Sequence, residues 1–429
     1  DTTAAASALN VINTGTTGMI NASSVTTLTG TAADVAASYA TTGITGLGNE
    51  VVTLSGTTAR AADLNTINAA TSVMVNIGSI LTVTGSTADL NTMYTQAGLV
   101  NRGTQALTLT DTSATAVTLS TLDARTTGTV NASSVLTLTG TAAAVATNYA
   151  SSGITGLGSS AVTLTDTTLT GTALNSIDNM TTGTINASSV LTLTGTAADV
   201  ATSYTSTGIT GLGNEAVTLS DTTLTATALN SLDARTTGTI NASTVTTLTG
   251  SSTDVATVYV SVGITGLGSS AVTLSDTTAA VSAINVINTG TTGMINASSV
   301  TTLTGTAADV AASYASTGIT GLGNEAVTLL GTTATAADLN SINAGTSVTV
   351  NIGSILTVTG SVADLNTMYT QAGLVNRGTQ ALTLTDTSAT AATLSTLDAR
   401  TTGTVNASSV LTLTGTAAAV ATNYASSGI

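Results

Sequence analysis

The stretch T-T-L-T-G-T-A-A-D-V-A-A-S-Y, from Thr26 to Tyr39, decides the fold, because the chain returns to it at a fixed interval. It recurs as L-T-L-T-G-T-A-A-A-V-A-T-N-Y ending at Tyr149, and again ending at Tyr204, Tyr314 and Tyr424. Looser copies end at Tyr94, Tyr259 and Tyr369. These eight tyrosines are the only aromatic residues, and each lies 55 residues from the next. One aromatic at one phase of every repeat is the signature of a linear array, in which each unit buries its apolar face against its neighbours.

Repeats begin at Asp1, Gly56, Asp111, Asp166, Asp221, Asp276, Gly331 and Asp386. Residues 1–154 and 276–429 are near-copies, so five repeats form a 275-residue super-repeat. The second and seventh repeats share a variant in which V-N-I-G-S-I replaces I-N-A-S-S-V, and L-V-N-R-G replaces I-T-G-L-G. Each repeat divides into two related halves, such as Val190–Glu215 and Ala216–Thr244. Each half opens on a short β-type run, passes through a small Thr/Ala-rich segment, and returns to a β-type run after a glycine.

The β-type runs alternate. Val52 and Leu54 are expected to face inward, with Thr53 and Ser55 outward. Val190, Thr192 and Thr194 are expected opposite Leu191 and Leu193. The middle segments have helical spacing. Thr196 and Asp199 sit at the offset of a capping box, with Asp in place of the usual Glu or Gln. Val200 and Tyr204 follow four apart on one face. In the other half, Asp221 is expected to cap a helix carrying Ala226, Leu229 and Leu232. Helices of about ten residues are marginal alone, so stacking must hold them. Gly30 and its equivalents mark the strand-to-helix passage. Gly43 and its equivalents fall just past a helix end, where a positive φ is expected. The reading is a right-handed α/β repeat solenoid with parallel sheets and short helices, one continuous array over residues 1–429. The alternative is a β-solenoid in which the Ala/Thr segments are turns. The chain stops 44 residues into the eighth repeat without a distinctive cap, so it is read as an internal piece of a longer chain. Its partners are then expected to be neighbouring copies of the same repeat, continuing end to end or as a filament.

Composition excludes several functions. Lys, His, Cys, Pro, Phe and Trp are absent, and 21 acids against six arginines leave a net charge of −15. That balance disfavours nucleic acid. No apolar window reaches membrane-span length. Without His, Cys or Lys the usual general bases, thiol nucleophiles and Schiff-base amines are missing. The acids recur identically, whereas an active site breaks symmetry. No enzyme, catalytic residue or cofactor is expected.

Four ladders run through the array. Asn21, Asn76, Asn131, Asn186, Asn241, Asn296, Asn351 and Asn406 hold one phase, six of them in N-A-S sequons. Glycosylation is one reading. Asn76 and Asn351 stay Asn before I-G, which favours a structural turn asparagine. Asp1, Asp111, Asp166, Asp221, Asp276 and Asp386 form an acidic file, and Glu50, Glu215 and Glu325 another. Calcium binding is weighed against helix-capping aspartates and exposed loop glutamates. No calcium-loop motif occurs, so no metal site is expected. The T-x-T runs, such as Thr137-Leu138-Thr139, suit β-strands. They also resemble ice-binding threonine arrays. The tyrosines are expected to point inward and stack, with sugar stacking as the functional alternative.

The runs T-G-T-I-N-A-S-S-V-L-T-L-T-G-T-A-A-D-V and G-I-T-G-L-G-N-E-A-V-T-L-S-D-T-T resemble repeats of the giant cell-surface proteins of marine picocyanobacteria. That kind of protein includes one implicated in non-flagellar swimming, and related secreted adhesins. The resemblance covers the whole chain. It implies an extracellular, cell-surface location and a structural role in a filament or stalk. The alternative it leaves is a multivalent adhesin that holds glycan, ice or cations through its repeated faces.

Overall fold

The computed structural model describes every residue from Asp1 to Ile429. The chain divides into two compact units, residues 1–194 with 198–215, and residues 195–197 with 216–429. Both are α/β repeat solenoids of short parallel strands and short helices, sixteen helices in the whole chain. The Ala/Thr segments are therefore helices, and the β-solenoid alternative is set aside.

The third repeat shows the plan within the first unit. Strand Ser113–Thr115 leads into helix Ala116–Asp123, then strands Val130–Asn131 and Thr137–Gly140. Helix Ala142–Ala150 follows, then strands Ile154–Thr155 and Ala161–Leu164. Ala116, Leu119 and Leu122 bury one helix face, and Ala142 and Val145 the other's. Leu138, Val162 and Leu164 close the core from the sheet side. Each such leucine contributes roughly 1.5–3 kcal/mol by leaving water, which offsets the poor intrinsic stability of eight- and nine-residue helices. Helices pack on those of the neighbouring coils. Gly140 ends its strand against Ala116, whose Cβ would lie 2.9 Å from a Cβ at that glycine. No helix is long and apolar enough to cross a membrane.

The register is the feature that positions everything else. Successive helices start 26 and 29 residues apart, at Ala116, Ala142 and Gly171. The strands pair at a shorter interval. Ser113 lies beside Thr137 and Thr137 beside Ala161, 24 residues apart each time. Val162 then lies beside Ile185, and Ile185 beside Ile209. Because the pairing interval is shorter than the coil, each sheet drifts along the chain. It takes five successive strand positions and stops. Another step in either direction would meet a helix, Thr87–Thr95 before it or Ala226–Asp233 after it.

Three local expectations need correction. Leu191 does not pair in face with Leu193. It precedes the strand Thr192–Gly195 and is 63% exposed, while Val190 and Leu193 are buried. The bend responsible is closed by a hydrogen bond from Val190 N–H to the Ala187 carbonyl. Gly43 and its equivalents do not have positive φ. They are glycine because a side chain from the coil before fills their Cβ space. At Gly153 a Cβ would sit 2.0 Å from Asp123 Oδ1, and at Gly98 2.2 Å from Asn68 Oδ1. Asp221 does not cap helix Ala226–Asp233. Thr225 does, accepting the Ala228 N–H.

Candidate functional site

Asp221 instead accepts the N–H of Ala197, the first residue of a helix one coil earlier, at 2.8 Å. The same bond joins Asp111 to Thr87 at 2.6 Å, Asp166 to Ala142 at 2.7 Å and Asp386 to Val362 at 2.6 Å. Asp276 and Ser252 form it too. The acidic file thus caps helices, but across a coil boundary, where the anionic oxygen meets the positive end of the helix. The helix's own cap is local. Thr31 accepts the Asp34 N–H at 3.1 Å and donates its hydroxyl to Asp34 Oδ2 at 2.8 Å. In a full capping box the acid would reach back to the cap backbone.

The eight ladder asparagines are turn residues. The Oδ1 of Asn21, Asn131, Asn186, Asn241, Asn296 and Asn406 accepts the N–H of the serine two residues on, at 3.0–3.1 Å. Asn76 and Asn351 accept from Gly78 and Gly353 at 2.9 Å. They also accept from the Nδ2 of Asn101 and Asn376, one coil on. Across a sheet they stand beside threonines. One outward rank runs Thr115, Thr139, Thr163, Asn186, Thr210.

Tyr39, Tyr94, Tyr149, Tyr204, Tyr259, Tyr314 and Tyr369 are half-buried, and Tyr424 is 83% exposed. Their ring faces meet the following coil. Gly290 and Gly345 have the Tyr259 and Tyr314 rings within 2.6 Å of where a Cβ would stand. The Arg400 guanidinium lies 6.0 Å from the Tyr369 ring centre.

Their hydroxyls lead to a site that sequence reading missed. Glu50, Glu215 and Glu325 are not loop charges at the surface; they are 1%, 0% and 2% exposed. Glu50 accepts the Tyr39 hydroxyl at 2.8 Å and the N–H groups of Gly48 and Asn49. Glu325 accepts Tyr314 at 3.0 Å and Gly323 at 2.7 Å. The equivalent positions Gln105, Ser160, Ser270 and Gln380 are equally buried. Gln105 Oε1 accepts the Gly103 N–H at 2.9 Å, while Ser160 donates to the Val135 carbonyl at 2.6 Å. The backbone carbonyl of this position accepts a threonine hydroxyl 21 residues on, from Thr126, Thr181, Thr291, Thr346 or Thr401. The available signal was that this phase is always polar although a buried strand follows it.

A second missed ladder joins helix to helix. Ser38 donates to Asn10 Oδ1 at 2.8 Å, Ser203 to Asn175 at 2.7 Å and Ser313 to Asn285 at 2.7 Å. The two residue types exchange places in Ser120–Asn148 and Ser395–Asn423, with the bond kept.

Burial raises the pKa of Tyr39, and the hydrogen bond to Glu50 and its charge raise it further. Burial and Glu325 do the same at Tyr314. Tyr94 and Tyr369 are raised by burial, with part of the rise taken back by neighbouring threonine and arginine. Tyr149 and Tyr259 are raised by burial. The folded state therefore favours the neutral phenol. That contribution is whole below pH 10.0, the ordinary tyrosine value, and is lost as pH rises above it, because only the unfolded chain then releases these protons readily. Solvent screening at half-buried rings reduces its size. Phenolate absorbance in an alkaline titration should rise together with the loss of helical circular dichroism. Ionisation of these tyrosines well before unfolding would contradict the reading.

Chemically, the file consists of acceptors already occupied by backbone and phenol donors. No three acidic side chains gather where they could hold a metal ion. No protein-family model matches the chain, and no curated protein is similar to it.

Proposed function

We propose that this chain is a structural repeat segment of a giant extracellular protein that forms a filament or stalk at a cell surface, of the kind its motifs resemble. The observation that carries the reading is the recurrence of one set of coil-to-coil bonds. The aspartate cap, the buried Glu/Gln/Ser position and the Asn–Ser pairs each tie a coil to its neighbour. Adding coils therefore extends such an array without requiring any new kind of contact. Further copies of the repeat are its natural partners, and its value lies in length and resistance to extension. Antibody raised against the segment should label surface fibres of the producing cells under electron microscopy; label confined to the cell interior would overturn the proposal.

The outward Thr/Asn ranks favour a second reading, a multivalent adhesin. Hydroxyls and amides repeated at strand spacing suit many weak contacts with a cell-surface glycan, which together give avidity.

A further inference from the structure

Five helices in this chain receive a carboxylate from the next coil at their first N–H, as described above. In the second and seventh repeats the donor of that carboxylate is replaced by Gly56 and Gly331. Both glycines have φ near +90°, and a Cβ at either would meet nothing within 4 Å. The helices concerned, Ala32–Ala40 and Ala307–Ala315, have nine residues each. Ala32 and Ala307 are 1% and 2% exposed, yet no acceptor within the protein faces their N–H groups. A buried donor left unpaired is costly, and the first N–H groups of a helix attract anions.

Where the carboxylate is missing there is a pocket, and it occurs in both copies. The first, of about 320 Å³, is lined by Thr31, Ala32, Ala33, Gly56, Arg60 and Asp63. The second, of about 370 Å³, is lined by the matching Thr306, Ala307, Ala308, Gly331, Thr335 and Asp338. Arg60 is the residue before its helix and makes no capping bond, so its guanidinium is available to an anion. The helix's own acid does not exclude a second carboxylate. Asp89 and Asp111 share one helix start, as do Asp364 and Asp386.

We propose that these two pockets bind a carboxylate carried by another molecule, seated where the aspartate sits in the sister repeats. This goes beyond the structural role above and does not depend on it. The first pocket, with Arg60, should bind more tightly than the second, where Thr335 stands instead and Asp338 adds negative charge.

Amide NMR on the full chain tests it, with acetate titrated against chloride at constant ionic strength and trigalacturonate as a second probe. Saturable shifts are expected at Ala32 and Ala33, weaker ones at Ala307 and Ala308, and none at Ala142, whose site Asp166 fills. Gly56→Asp should abolish the first response and spare the second. Should that variant fold poorly at the positive φ, Arg60→Ala should weaken the first site several-fold without touching the second. Acetate and trigalacturonate binding alike would assign the pockets to small acids; tighter trigalacturonate binding would assign them to acidic polysaccharide. The proposal is overturned by shifts that match the chloride control, or by equal shifts at Ala142.

Discussion

Gly156→Asn is expected to destabilise the first unit by about 2–5 kcal/mol, combining an unfavourable backbone region with overpacking. Gly156 has φ +88°, and a Cβ there would stand 2.6 Å from Ser133 N and 2.8 Å from Ser133 Cα. Yet Asn101 occupies the equivalent position one repeat earlier, at φ +58°. It does so because its neighbour across the coil is Gly78, whose added Cβ would lie 3.3 Å from that of Asn101. Asn376 and Gly353 repeat the arrangement. Asparagine is also among the side chains that best tolerate positive φ. Adding Ser133→Gly to Gly156→Asn should therefore recover at least half the loss, although a glycine alone costs roughly 0.5–1 kcal/mol. Hydrogen exchange around residues 130–160 and denaturant unfolding of both single variants and the double would measure the coupling. Simple additivity of the two single changes would show that the pair does not share one space.

Glu50→Leu is the second large effect. The carboxylate is 1% exposed and serves Tyr39 at 2.8 Å, Gly48 at 2.6 Å and Asn49 at 3.2 Å. Leucine fills the volume but leaves those donors unpaired. A loss of about 2–4 kcal/mol follows, given that a hydrogen bond to a charged group and an orphaned buried donor each carry roughly 1–3 kcal/mol. Glu50→Gln should cost about 1 kcal/mol or less. Gln105 and Gln380 already hold this place, each accepting the N–H two residues earlier. The damage should stay within the coils around residues 39–72, because energetics in such arrays are nearest-neighbour. Equal losses for Leu and Gln would refute the assignment of the carboxylate's acceptor role.

Both predictions rest on pairs that the repeat variants had displayed without explanation. V-N-I-G-S-I and L-V-N-R-G occur together in the second and seventh repeats. They are far apart along the chain, but Gly78 and Asn101 touch across one coil boundary. The exchange of Asn and Ser between residues 10 and 38 and residues 120 and 148 has the same origin. Tyr39 and its equivalents are legible as a repeated feature. Their half-burial and their hydroxyl partners are not, because those depend on what the following coil places over each ring.

The sequence by itself determined the period, the alternation of the strands, the sixteen short helices and the caps supplied by Thr31 and its kind. All of these arise from bonds and side-chain spacings within about four residues, which a local pattern records. Only the tertiary structure decided which residues meet 21 to 32 positions apart. Strands pair at 24 residues while helices recur at 26 and 29, and that mismatch is set by the circumference of the coil. It moves Asp221 from its own helix to the one before, brings Asp123 into the space beside Gly153, and carries Glu50 into the interior.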